Sequence, residues 1–190
     1  MRSSASSIAK NPTTPAEVQV RDAAQGDLAA LHAIYSHHVL HGLASFEEVP
    51  PDAAEMRRRY DEITGRGLPF LVAVEDLSVL GFGYCAPYRA RSAYRYALED
   101  SVYVRDGQFG KGIGSRLLAG LIARCERLDY RQVIAVIGDS ANANSIALHA
   151  RHGFLRVGTL RSTGYKFGRW VDSVLMQRPL GSGDGTPPAT

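Results

Sequence analysis

The sequence predicts an α/β domain (α+β in layout): a mixed, mostly antiparallel central sheet flanked by helices. Three observations lead there. Apolar residues recur at helical spacing in several long segments. Short apolar runs bounded by turn residues read as strands between them. The resulting order is β-α-α-β-β-β-α-β-α-β-β, with hairpins first and a βαβ crossover later, which argues for a mixed sheet.

Val18–Arg21 alternates as a short strand. Leu28, Leu31, Ile34, Tyr35 and Val39 share one face of a helix over 25–41, which Gly42 stops. Pro50, Pro51 and Asp52 lead into a second helix, Ala53–Ile63. Gly65, Gly67 and Pro69 break the chain before a strand at Phe70–Val74, and residues 75–78 turn it into Val79–Ala86 as a hairpin. Leu98–Val104 is a further strand. Ile113, Leu117, Leu118, Leu121 and Ile122 mark a helix over 112–127. Val133–Ile137, five apolar residues in a row, reads as a central strand buried on both faces. Ser145–His152 is a helix closed by Gly153, and strands near 155–160 and 170–178 complete the domain.

The 190 residues suffice for one domain, expected at 17–180 between mobile tails at 1–16 and 181–190, both rich in small and polar residues. Net charge is +3, suited to an anionic ligand and weak as a nucleic-acid signal. No run approaches the roughly 18 apolar residues of a membrane helix, and the first residues lack the apolar core of a signal peptide. Cys85 and Cys125 match no metal spacing and are expected as free thiols in a reducing cytoplasm. The expectation is a cytoplasmic protein with no nucleic-acid or membrane partner.

The segment 102–115 carries the strongest functional signal: a strand, a glycine-rich turn with Gly110, Gly112 and Gly114, and a helix start. Unpaired amides at the positive end of a helix dipole bind phosphate. The nucleoside-triphosphate loop G-x-x-x-x-G-K-S/T fails at Arg105 and Gly112, and the dinucleotide loop G-x-G-x-x-G fails at Ser115. A third loop, Q/R-x-x-G-x-G/A, fits Phe109, Gly110, Lys111, Gly112, Ile113 and Gly114, with Phe109 departing from Gln or Arg.

That loop, with Asn142 to Ser145 as N-x-x-S and with Gly153-Phe154 closing the next helix, resembles the Gcn5-related acyltransferase superfamily. Tyr88 to Tyr94, Leu98 to Val104, Val133 to Gly138, Gly164 to Trp170 and Ala44 to Phe46 resemble its phosphinothricin and methionine sulfone acetyltransferase branch over about residues 18–180. The resemblance implies acetyl transfer from acetyl-CoA, with no metal, to the amine of a small amino-acid-like substrate. It implies that Val102, Tyr103, Val104, residues 109–114, Ser115, Asn142 and Ser145 bind the coenzyme. It also implies a homodimer.

Transfer to an amine needs a group to take its proton and a donor for the acyl oxygen. Glu99 occupies the position of the family's catalytic carboxylate, and strand alternation turns Asp100 the other way. The Val104 amide would stabilise charge on the acyl oxygen, and Val102–Val104 would pair with pantetheine like an added strand. His149 stands where many relatives carry a tyrosine and is the candidate general acid. Phe46, Arg89, Ser92, Ala93, Tyr94 and Lys166 are the expected substrate residues. Asn142 is equally a helix N-cap. His37, His38 and His41 read as an exposed helix face rather than a zinc set. Two rivals keep the fold: an enzyme acting on a protein or peptide amine, and a non-catalytic acyl-CoA sensor.

Overall fold

The computed structural model describes residues 17–188. Seven strands form one sheet in the order β1-β2-β3-β4-β5-β7-β6. The first is β1 (Gln19–Asp22), and a 3-10 turn at Gln25–Asp27 opens α1 (Leu28–His41). Helix α2 (Ala53–Gly65) starts at Asp52, whose carboxylate accepts the Glu55 amide at 2.7 Å. The hairpin is β2 (Phe70–Glu75) and β3 (Ser78–Pro87), turned by Asp76 at φ 53°. Then come β4 (Ala97–Val104), α3 (Ile113–Arg127), β5 (Gln132–Gly138), α4 (Ala143–Arg151) and the long hairpin of β6 (Leu155–Lys166) and β7 (Arg169–Pro179). The last two strands run further than the sequence predicts. All pairings are antiparallel except β4 with β5.

Side-chain alternation along β3 sorts the layers. Phe82 and Tyr84 turn toward α1 and α2, where Phe82 stacks on Phe70 and Tyr103, and Tyr103 meets Tyr35 edge-on at 5.1 Å. Gly81 and Gly83 turn toward α3, and a Cβ on Gly83 would stand 3.0 Å from Leu121. Their bare backbone lets α3 seat Leu117, Leu118 and Leu121 fully against the sheet. Cys85 and Cys125, distant in sequence, meet in this layer as free buried thiols; the contact with Cys125 and burial push the Cys85 thiol well up.

The one parallel pairing is short. It joins Ala97–Asp100 to Gln132–Ala135 and ends there, although β4 continues to Val104 and β5 to Gly138. The strands part beyond Asp100, while the β3–β4 register runs on without a shift. This splay corrects the expectation that Val133–Ile137 is buried on both faces: Val136 is 39% exposed, because β4 no longer covers it. Residues 181–188 turn back on the domain, where the Arg131 guanidinium reaches the carbonyls of Gly183, Thr186 and Pro187. The expected tail at 1–16 lies outside the described residues.

Candidate active site

The splay leaves main-chain groups without strand partners. The Tyr88 amide donates to the Ala97 carbonyl and the Arg105 amide to the Leu80 carbonyl, so odd-numbered residues of β4 face β3. Even-numbered residues face the other edge. Leu98 and Asp100 meet β5 there, whereas Val102 and Val104 look into the gap. The Tyr103 main chain is taken up by β3 and its ring is buried, so its share of an acyl donor site is the wall it presents.

The glycine loop follows directly. Gly110 and Gly112 adopt φ 77° and 76°, and nothing lies within 4 Å of where a Cβ would stand on either. This open, amide-lined turn at the start of α3 fits a pyrophosphate. A channel of about 560 Å³ runs from the loop past Val104 and Gly114 to Asn144, Leu148 and Arg151 on α4. Lys111 donates to Gln108 at 2.8 Å, and the Ser115 hydroxyl pairs with His152 Nε2 at 2.7 Å. Phe109 is 56% exposed. The Asn142 side chain caps α4 by accepting the Ser145 amide at 3.2 Å, so its structural role is real whatever else it binds.

On the other face of β4, a cavity of about 410 Å³ is lined by Phe46, Glu47, Tyr84, Glu99, Ser101, Tyr103 and Val136, among others. Glu99 is half-buried there. Burial raises its carboxyl above the ordinary glutamate value, the Asp100 charge adds to the rise, and Arg89 opposes it. Phe46 rides on a pinned loop. Its ring leaves no room for a Cβ on Gly164, whose bare backbone lets it seat. Tyr35 Oη and Ser45 Oγ share a hydrogen bond of 3.0 Å, and Arg59 pairs with Glu47 at 2.7 Å.

Other expected residues fall elsewhere. Lys166 is buried, donates to the carbonyls of Gly42 and Ser45 and does not line the cavity, so it anchors the Phe46 loop and does not meet a substrate there. Arg89, Ser92, Ala93 and Tyr94 are exposed on the β3–β4 connection and are not part of the cavity wall, and of the four it is Arg89 whose charge reaches Glu99. Arg89 lies over the rings of Tyr88 and Tyr94. His149 is buried with both ring nitrogens engaged, Nδ1 donating to the Ser145 carbonyl at 2.8 Å and Nε2 to Asp100 at 3.1 Å. That geometry leaves no ring N–H for a leaving group.

His38 corrects the reading of the histidine cluster as an exposed face. It is half-buried, and its Nε2–H donates to the Val104 carbonyl at 2.8 Å. Burial lowers its pKa, against the pull of that carbonyl. His37 lies 3.9 Å from Asp106. Among the described residues, no group of three or more His, Cys, Asp or Glu is placed to hold a metal ion.

The loop and the gap suit one ligand that carries phosphate at one end and presents an acyl group between parted strands at the other. Coenzyme A thioesters have that form, and the protein is an acyltransferase of the class that uses them. The family model described as the acetyltransferase (GNAT) domain matches residues 20–175, and the chain belongs to that family. It is 56% identical over 169 residues to a phosphinothricin N-acetyltransferase of Alcaligenes faecalis, covering 89% of this chain and 86% of that one. It is 40% identical over 162 residues to an L-methionine sulfoximine/L-methionine sulfone acetyltransferase of Pseudomonas aeruginosa, covering 85% and 94%. A phosphinothricin acetyltransferase from Sinorhizobium meliloti, solved with acetyl-CoA, superposes with a TM-score of 0.88 at 46% identity, covering 90% of this chain and 93% of that one. The protein is an N-acetyltransferase with acetyl-CoA as its co-substrate.

Proposed function

We propose that the protein acetylates the α-amine of a small amino-acid-like substrate, of the phosphinothricin or methionine sulfone and sulfoximine kind, by direct attack in a ternary complex. The observation that carries this reading is the half-buried Glu99, its pKa raised, in a cavity that opens beside the parted strands. When bound, acetyl-CoA supplies an acetyl group activated as a thioester. Glu99 takes the proton of the incoming ammonium, directly or through water. The Val104 N–H holds the acetyl oxygen as negative charge grows on it, and His38 fixes that strand end through the Val104 carbonyl. The amides at Gly110–Gly114 hold the pyrophosphate. Cys85 and Cys125 are both buried as free thiols, which favours direct transfer over a cysteine-bound intermediate.

The Phe46 loop, closed over the cavity by Lys166 and Arg59, favours a small substrate over a protein segment. Arg89, whose charge reaches Glu99, suits the substrate's carboxylate. Two free buried thiols support a cytoplasmic location, and no helix among the described residues is long and apolar enough to cross a membrane. Exposed Leu155, Val157, Tyr165, Phe167 and Trp170 on the β6–β7 hairpin support a homodimer. The test is a panel of amines with acetyl-CoA, following thiol release. Release is expected with phosphinothricin, methionine sulfone or methionine sulfoximine. No release with any amino-acid analogue would overturn the reading and favour a protein amine.

A further inference from the structure

The ladder between β4 and β5 ends at the rung Asp100↔Ala135. At that rung the Asp100 side chain turns away from Glu99 toward α4, and its Oδ2 accepts the Nε2–H of His149 at 3.1 Å. The two side chains are 1% and 5% exposed. The other ring nitrogen, Nδ1, donates to the Ser145 carbonyl. An imidazole that donates from both nitrogens carries both protons. Burial opposes that charge, and Asp100 overrides it, so His149 is held above its ordinary pKa. Asp100 Oδ1 has no partner among the described residues. His149 is therefore the group that compensates the buried carboxylate, and each of the two depends on the other.

The position of this pair gives it a task. Helix α4 follows β5 in the chain, so the bond ties β4 to the helix that β5 carries, at the apex of the splay. A small cavity of about 50 Å³ sits there, lined by Asp100, Val102, Ala135, Asn142 and His149, among others. We propose that the Asp100–His149 ion pair takes over from the lost ladder as the clamp that sets the opening of the β4–β5 gap, and with it the fit of coenzyme A's pantetheine arm between Val102–Val104 and α4. Both are positioning residues: they hold the walls and do not touch the reacting atoms. Phe154 packs edge-on against the imidazole at 5.0 Å. The other titratable or charged groups around the pair are Cys85 on β3, cross-strand from Asp100 and in contact with Cys125 on α3; Glu99, the chain neighbour of Asp100 on the opposite face of β4; and His152, just past the end of α4, bonded to Ser115 and flanked by Arg151 and Arg178.

The experiment is calorimetric binding of desulfo-coenzyme A, which has no thiol to titrate, alongside melting curves of the free protein. Asp100→Asn is expected to weaken binding about tenfold at neutral pH, as for a lost charge-assisted hydrogen bond. In the wild type the dissociation constant should rise as pH climbs through the raised pKa of His149; in the variant it should stay flat over that range. NMR of the imidazole nitrogens reports the His149 titration directly. A variant that melts earlier but binds desulfo-coenzyme A as tightly as wild type overturns the proposal, because the pair is then structural only. A wild-type affinity that stays constant while His149 loses its proton overturns it equally, and that measurement stands even if Asp100→Asn fails to fold.

Discussion

The Lys166 ammonium, buried in β6, donates to the main-chain carbonyls of Gly42 at 2.9 Å and Ser45 at 2.7 Å. It thereby fastens the loop that carries Phe46 to the far hairpin of the sheet. Burial lowers its pKa, with Glu48 and Glu47 opposing. Lys166→Met keeps the length and removes both donors, leaving two carbonyls unsatisfied. The expected loss is about 2 kcal/mol of unfolding free energy, read from denaturant curves. The KM for the amine should rise several-fold while coenzyme A affinity holds, since the loop walls the amine cavity and not the phosphate channel.

Glu99→Gln removes the proton acceptor and keeps the shape. Turnover at neutral pH should fall by about 10²-fold or more, the range of a lost general base, while calorimetric affinity for coenzyme A stays at the wild-type value. In the wild type, the acid limb of kcat/KM should lie above the ordinary glutamate value of about 4.3, because burial and the Asp100 charge both disfavour the ionised form. An acid limb at or below that ordinary value, or unchanged turnover in the variant, would remove Glu99 from the role.

The glycine loop and Glu99 were legible in the sequence because their chemistry depends on local order: a strand, a turn that tolerates positive φ, a helix start, and a carboxylate on one side of an alternating strand. The splay was not. Val133–Ile137 reads as a fully covered strand, and only the rung at which β4 parts from it exposes Val136. Lys166 and His38 misled for a shared reason. Each bonds main-chain carbonyls far along the chain, 124 and 66 residues away for Gly42 and Val104, and a carbonyl leaves no mark on the sequence. The Asp100–His149 pair is similar: alternation turns Asp100 away from Glu99, but only packing brings α4 to meet it.

Phe109 stands where the phosphate loop of the family carries Gln or Arg, and it is 56% exposed at the channel. Phe109→Arg introduces a guanidinium beside the amides that receive the pyrophosphate. Charge-assisted hydrogen bonds should tighten coenzyme A binding by about threefold to tenfold, measured by calorimetry. The gain should shrink as salt is raised, because the site is open to solvent. Equal affinity in the two proteins would mean that the backbone amides already saturate the phosphates.

The pH dependence of stability isolates the buried histidine. The His149 pKa is raised in the folded state, since Asp100 outweighs burial. Its stabilisation is therefore fully present below the unfolded value of about 6.5 and is lost as pH rises through the folded value. His38 and His152 are shifted the other way by burial. Their contributions are present above about 6.5 and are lost only as pH falls through their lowered values. The Cys85 thiol, pushed well up by Cys125 and burial, adds an alkaline loss that begins only near the ordinary thiol value of about 8.5. Above about 6.5, His149 contributes a fall in melting temperature as pH rises through its raised value. Asp100→Asn should melt below wild type at pH 6, where the ion pair is intact, and the gap should narrow as pH rises through the raised His149 value. A constant gap across that range would mean that Asp100 stabilises the fold without regard to the charge on His149.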